Sequence, residues 1–68
     1  MSNYIGRVYL APSGQWAFKF YENETELGGG AGFESEKEAK MGCGEVLGTY
    51  NKNAQIKVVK YEELPRLT

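Results

Sequence analysis

Few residues in this chain can do chemistry. There is one cysteine, Cys43, and no histidine. A histidine-based triad is therefore excluded, as are an intramolecular disulfide and any zinc site of the usual Cys and His types. Cys43 as a nucleophile or redox sensor would need a base, a cation or a helix start to lower its pKa. It falls mid-helix on an apolar face between Gly42 and Gly44, and reads as a small buried hydrophobe. Glu22, Glu24 and Glu26 alternate, which on a strand would line up carboxylates for metal binding or acid-base work. A hydrolase, however, needs one carboxyl raised in pKa by burial beside another that stays ionised. In a polar turn all three are solvated and protect the sheet from edge pairing. The run Gly28-Gly29-Gly30-Ala31-Gly32 could form an anion nest of free amides. A Walker-type loop needs Lys-Ser or Lys-Thr next, and here Phe33-Glu34 follows, so the run reads as a packing feature or flexible edge. Asn23-Glu24-Thr25 matches a glycosylation acceptor but reads as a polar turn. We expect no catalytic residue, no metal, no cofactor and no small-molecule substrate: the chain is not expected to be an enzyme.

The elements that would position these residues follow from periodicity. Tyr4 to Leu10 is rich in β-branched and aromatic residues and stops at Ala11-Pro12-Ser13-Gly14, a strand and a turn. Gln15 to Tyr21 alternates strictly, with Trp16, Phe18 and Phe20 toward a core and Ala17, Lys19 and Tyr21 opposite. The short loop between them favours an antiparallel hairpin, since a parallel pairing would need a crossover of a dozen residues or more. Glu22 to Glu26 is a polar turn, and Leu27 to Phe33 is an irregular third strand whose glycines mark a bulge or close backbone approach. Ser35-Glu36-Lys37-Glu38 is a capping box that starts a helix. Ala39, Cys43, Val46, Leu47 and Tyr50 form its apolar face, and Gly48 is expected as its left-handed stop. Glycines 42 and 44 cost about 1 kcal/mol each in a helix interior, which predicts that a smooth patch lets the helix approach its own sheet or a partner closely. Asn51-Lys52-Asn53 is a loop, Ala54 to Tyr61 alternates as a final strand, and Glu62 to Thr68 is a tail. The expectation is one α+β domain over residues 1–61 and a tail over 62–68: a three-stranded antiparallel meander, one helix packed on the sheet, then a final strand.

Sixty-eight residues lie near the lower limit for a self-sufficient core and leave no room for a large enclosed site. The start lacks a basic region and an apolar stretch, and no run approaches a membrane span, so a cytoplasmic protein without membrane contact is expected. Nine aromatic residues exceed what one sheet face can bury behind a single helix. Tyr9, Tyr21 and Tyr61, with Lys19 between them, are therefore expected on the opposite face as candidate interface residues. Gly42 and Gly44 are the candidates on the helix.

Gly14 followed by Trp16, Phe18 and Phe20, then Asn23, Gly32-Phe33, Ser35 to Gly42, Val46 and Asn53-Ala54 with the valine-rich last strand resemble the YegP-like family of small prokaryotic proteins, a domain of unknown function. Glu24 stands where that family has glycine, the second hairpin is about a residue shorter, and Gly28 to Gly30 replaces a more ordinary strand. The resemblance implies a strand-strand-strand-helix-strand fold that sometimes self-associates, and it carries over no catalytic residue. A more local stretch, Gly32-Phe33-Glu34-Ser35-Glu36-Lys37-Glu38-Ala39, resembles the sheet-to-helix junction of arm-binding domains in tyrosine-type phage integrases, which lay a sheet into a DNA groove. Eight basic against nine acidic residues argue against that role, although Arg7, Lys19, Lys57 and Lys60 could share one sheet surface. The function expected is a small non-enzymatic binding module acting through protein–protein contact, as a homodimer or on another protein. The alternatives are a nucleic-acid-binding module of integrase-arm type and a phage- or prophage-encoded inhibitor of a host protein.

Overall fold

The computed structural model describes residues 3–50 and 54–64. The expected loop Asn51-Lys52-Asn53 and the tail from Pro65 onward lie outside them. Alternating aromatic and β-branched residues form β1 (Tyr4–Leu10) and β2 (Trp16–Glu22), paired antiparallel with Val8 opposite Phe18 and Arg7 opposite Lys19. Between them the Gly14 amide donates to the Ala11 carbonyl at 2.9 Å, closing a turn with Pro12 second, and Gly14 itself takes φ +93°.

The second hairpin is tighter than the five-residue polar turn expected. Glu22 pairs directly with Thr25, leaving only Asn23 (φ 50°) and Glu24 (φ 72°) as the loop. Two left-handed residues in succession are the signature of a type I′ turn, whose twist matches that of the flanking strands. Asn23 is also tied to the start of β1: its side-chain Oδ1 accepts from the Asn3 amide at 3.0 Å, and its amide donates to the Asn3 carbonyl at 2.9 Å.

β3 (Thr25–Phe33) pairs antiparallel with β2 through two register shifts, the irregularity that its glycines imply. The glycines make room for aromatic rings. A Cβ on Gly28 would stand 3.0 Å from the Phe20 ring, and one on Gly30 would stand 2.9 Å from the Phe18 ring.

α1 (Glu36–Gly48) begins at Ser35, whose hydroxyl accepts from the Glu38 amide at 3.2 Å. The reciprocal arm of the capping box lands one residue early: Glu38 accepts from the Glu34 amide at 3.2 Å. The helix does not end on a left-handed Gly48. Gly48 is its last helical residue, and Thr49, still right-handed at φ −78°, closes it by donating its amide (3.1 Å) and its hydroxyl (2.7 Å) to the Val46 carbonyl.

The final strand, β4 (Gln55–Val58), is shorter than the expected run to Tyr61. It joins the sheet parallel to β1, with Ile5 beside Gln55 and Val8 beside Val58, so the order is β3-β2-β1-β4 and the sheet is mixed. A parallel pairing needs a long crossover, and the stretch containing α1 supplies it. Tyr61 leaves the strand altogether and opens a single 3₁₀ turn, Tyr61–Glu63.

Val8, Phe18, Phe20, Ala39, Cys43 and Leu47 form the core between helix and sheet, with Tyr4, Trp16, Phe33, Val46 and Ala54 packed around it. The aromatic rings continue outward, with Phe18 against Phe33 at 5.7 Å and Phe20 against Tyr50 at 5.6 Å between centroids. The point of closest approach is Gly6 in β1, where a Cβ would collide with the Cys43 Sγ and lie 2.8 Å from Leu47 Cδ1. α1 therefore sits over the meander and barely reaches β4.

Candidate interaction surfaces

The residues with chemical potential do not converge. The Cys43 thiol is fully buried, and burial pushes its pKa up to about 11, opposite to what a nucleophile requires. Glu22 accepts a long hydrogen bond from the Tyr4 hydroxyl (3.3 Å), Glu24 occupies the turn, and Glu26 pairs with Lys19 at 3.3 Å. Among the described residues no three His, Cys, Asp or Glu side chains are grouped to hold a metal ion. No described helix is long and apolar enough to cross a membrane.

Strand alternation puts Ile5, Arg7, Tyr9, Ala17, Lys19, Tyr21 and Lys57 on the sheet face away from the helix. Arg7 stands opposite Lys19 on one side and beside Lys57 on the other, so three cations cross the sheet in a row. The Arg7 guanidinium lies 4.7 Å from the centre of the Tyr21 ring, a cation–π arrangement, and the row is partly neutralised by the Lys19–Glu26 pair. At Lys19, burial lowers the pKa but is outweighed by the hydrogen bond and charge of Glu26, so the net shift is upward. Burial raises the Tyr21 phenol.

The tyrosines on this face are not exposed as expected. Tyr21 is completely buried and Tyr9 nearly so. Tyr9 is covered in part by Tyr61, whose ring is 5.8 Å away, because the chain after β4 turns back over this end of the sheet. The Tyr21 hydroxyl and Arg7 Nη1 are buried with no hydrogen-bond partner among the described residues. Of the candidate interface residues, only Lys19 and Tyr61 keep substantial exposure here.

On the helix, Gly42 faces inward. Its added Cβ would be 2.9 Å from Phe33 Cζ, so its smoothness serves packing on the chain's own sheet. Gly44 faces β4 more loosely, with an added Cβ in ordinary contact at 3.6 Å from Ile56 Cδ1.

The surface that periodicity alone does not single out is the β4 flank on the helix side. Because α1 stops short of it, Ile56 (38%), Val58 (44%) and the neighbouring Leu10 (48%) remain exposed. Leu10 and Val58 continue with Trp16 and Tyr61 into an open cleft of about 490 Å³, rimmed by Lys60, Glu62 and Glu63. The signal was present in the alternation of Ala54, Ile56 and Val58 toward the helix side. Only the position of α1 decides that the last two are uncovered.

Comparison with protein-family models, with curated proteins and with solved structures found no match to this chain.

Proposed function

We propose that the chain is a small binding module that works through protein–protein contact and associates with a second copy of itself. The observation that carries this reading is the apolar flank of Leu10, Ile56 and Val58, which the single helix leaves open to water at the sheet edge. A chain of this length has little core to spare, so association is its simplest way to cover such a surface. Fully burying a side chain of this size contributes about 1.5–3 kcal/mol. The exposed half of three such residues on each of two copies is then worth roughly 6 kcal/mol, near the lower end of the cost of association. Set against a cost of at least about 4 kcal/mol, the flank alone leaves about 2 kcal/mol, so the reading specifies a weak dimer, with a Kd of millimolar or weaker. Light scattering across a concentration series tests it, and a mass of one chain at every concentration ends it.

A second reading, nucleic-acid binding on the opposite face, is favoured by the Lys19–Arg7–Lys57 row. Against it stand the Glu26 counter-charge, the burial of Tyr9 and Tyr21, which removes them as stacking platforms, and a net charge of −1. Absence of any salt-sensitive mobility shift with single-stranded or duplex DNA at low ionic strength disposes of it.

A further inference from the structure

Resting on the self-association reading above, we infer where and in what register two copies meet: β4 pairs antiparallel with β4 of the second copy about a two-fold axis at Ile56, extending the sheet across both molecules.

The two sheet edges differ in fitness for pairing. β3 is broken by two register shifts and carries charged Glu24 and Glu26 at its turn, devices that discourage edge-to-edge pairing. β4 is a regular four-residue strand with every residue exposed. Its backbone polarity is set by β1. The Val59 amide donates to the Val8 carbonyl at 2.8 Å, so alternation turns Lys57 and Gln55 toward β1 and directs the amides and carbonyls of Ile56 and Val58 outward. The same alternation places the Ile56 and Val58 side chains on the helix side, where the open flank lies.

Register then follows from charge. A two-fold axis at Lys57 would set Lys57 directly opposite its own copy, on a face where Arg7 already adjoins it; like charges so placed are destabilising. An axis at Gln55 would leave Val58 without a partner. An axis at Ile56 pairs Ile56 with Ile56 and Ala54 with Val58 as positions that exchange both backbone hydrogen bonds. It also sets Gln55, an uncharged hydrogen-bonding side chain, across from Lys57. This register is self-complementary in polarity, apolar contact and charge, as a two-fold interface must be.

Register-specific cross-linking tests the inference beside the mass measurement. In an Ile56-centred pair the two Ile56 Cα atoms are about 5.5 Å apart, within disulfide reach. Two Lys57 positions lie on the diagonal, about 7–8 Å apart, beyond it. Ile56→Cys is expected to form a covalent dimer under mild oxidant and Lys57→Cys is not, with buried Cys43 left in place. Ile56→Lys is expected to shift the mass to one chain with an unchanged circular dichroism spectrum. A concentration-dependent dimer in which Lys57→Cys cross-links as well as Ile56→Cys, or neither does, overturns the pairing and leaves self-association standing. A mass of one chain throughout overturns both.

Discussion

Gly6→Ala is the sharpest probe of how the helix is seated. Two effects oppose each other at this position. Replacing a strand glycine with alanine removes an entropic cost of about 0.5–1 kcal/mol. The new methyl, however, would occupy space held by the Cys43 Sγ and press within 2.8 Å of Leu47 Cδ1, and both side chains are closed off from solvent. Neither can swing aside, so α1 must lift from β1. Overpacking of this kind costs about 1–3 kcal/mol, and two simultaneous contacts put it at the upper end, for a net loss of about 2 kcal/mol. A domain of 60–100 residues loses about 4–8 °C per kcal/mol, so the melting temperature falls by roughly 8–16 °C. Urea unfolding followed by Trp16 fluorescence and far-UV circular dichroism measures the loss. Cys43→Ala supplies the control: alone it costs about 1 kcal/mol by emptying a buried site, whereas combined with Gly6→Ala it vacates the space the new methyl needs. The double variant should therefore be more stable than the sum of the two losses by about 1–2 kcal/mol. Additive losses, or an unchanged Gly6→Ala midpoint, would refute the seating of Cys43 on Gly6.

Three other substitutions or measurements follow from the same geometry. Glu24 at φ 72° carries a left-handed cost of about 1–2 kcal/mol that glycine would not, so Glu24→Gly should raise the unfolding free energy measured in urea by about 1 kcal/mol; no gain would mean the type I′ turn is not formed in solution. Gly44→Ala should stabilise by about 0.8–1 kcal/mol through helix propensity, since its Cβ meets Ile56 Cδ1 at an ordinary 3.6 Å, whereas Gly42→Ala should gain little because its Cβ lands 2.9 Å from Phe33 Cζ; equal effects at the two sites would contradict the packing. Cys43, raised from 9.0 to about 11, should resist thiol reagents in the folded state and react once urea is added. Its folded pKa lies above the unfolded value, so its contribution to stability is complete below pH 9 and is lost as pH rises through 11, an effect that Cys43→Ala should abolish.

What could be read from the chain was what its neighbours in sequence decide. The strict alternation of Trp16, Phe18 and Phe20, the Pro12 turn and the Ser35 cap are local, and β1, β2 and α1 lie where these place them, whereas β3 starts at Thr25, two residues before the expected Leu27. The features that escaped depend on distant partners. That β4 runs parallel beside β1 follows from a pairing of Ile5 with Gln55, which no short-range pattern encodes. Tyr61 has the parity of a strand residue but leaves the sheet to cover Tyr9; the one local exception is the Thr49 cap on Val46, which replaces the glycine stop expected at Gly48. Gly6 offered a usable clue: it shares the core-side parity of Tyr4 and Val8, and a residue without a side chain there implies a close neighbour. Among the candidate surface residues, Lys19 was placed by alternation, whereas Tyr9 is covered by Tyr61 from the segment after β4 and Tyr21 lies under the Arg7 guanidinium.

The parallel β1–β4 pairing also orders events during synthesis. Among the described strands β1 comes first in the chain but ends in the interior of the sheet, and its second neighbour, β4, comes last. Until Gln55–Val58 arrive, the nascent meander exposes β1 as a raw edge, with the Val8 carbonyl still lacking the Val59 amide. A chain cut short before β4 presents that edge permanently, to other nascent chains as readily as to its own missing strand. β4 thus covers the edge that β1 would otherwise present, the kind of unpaired edge through which incomplete chains associate.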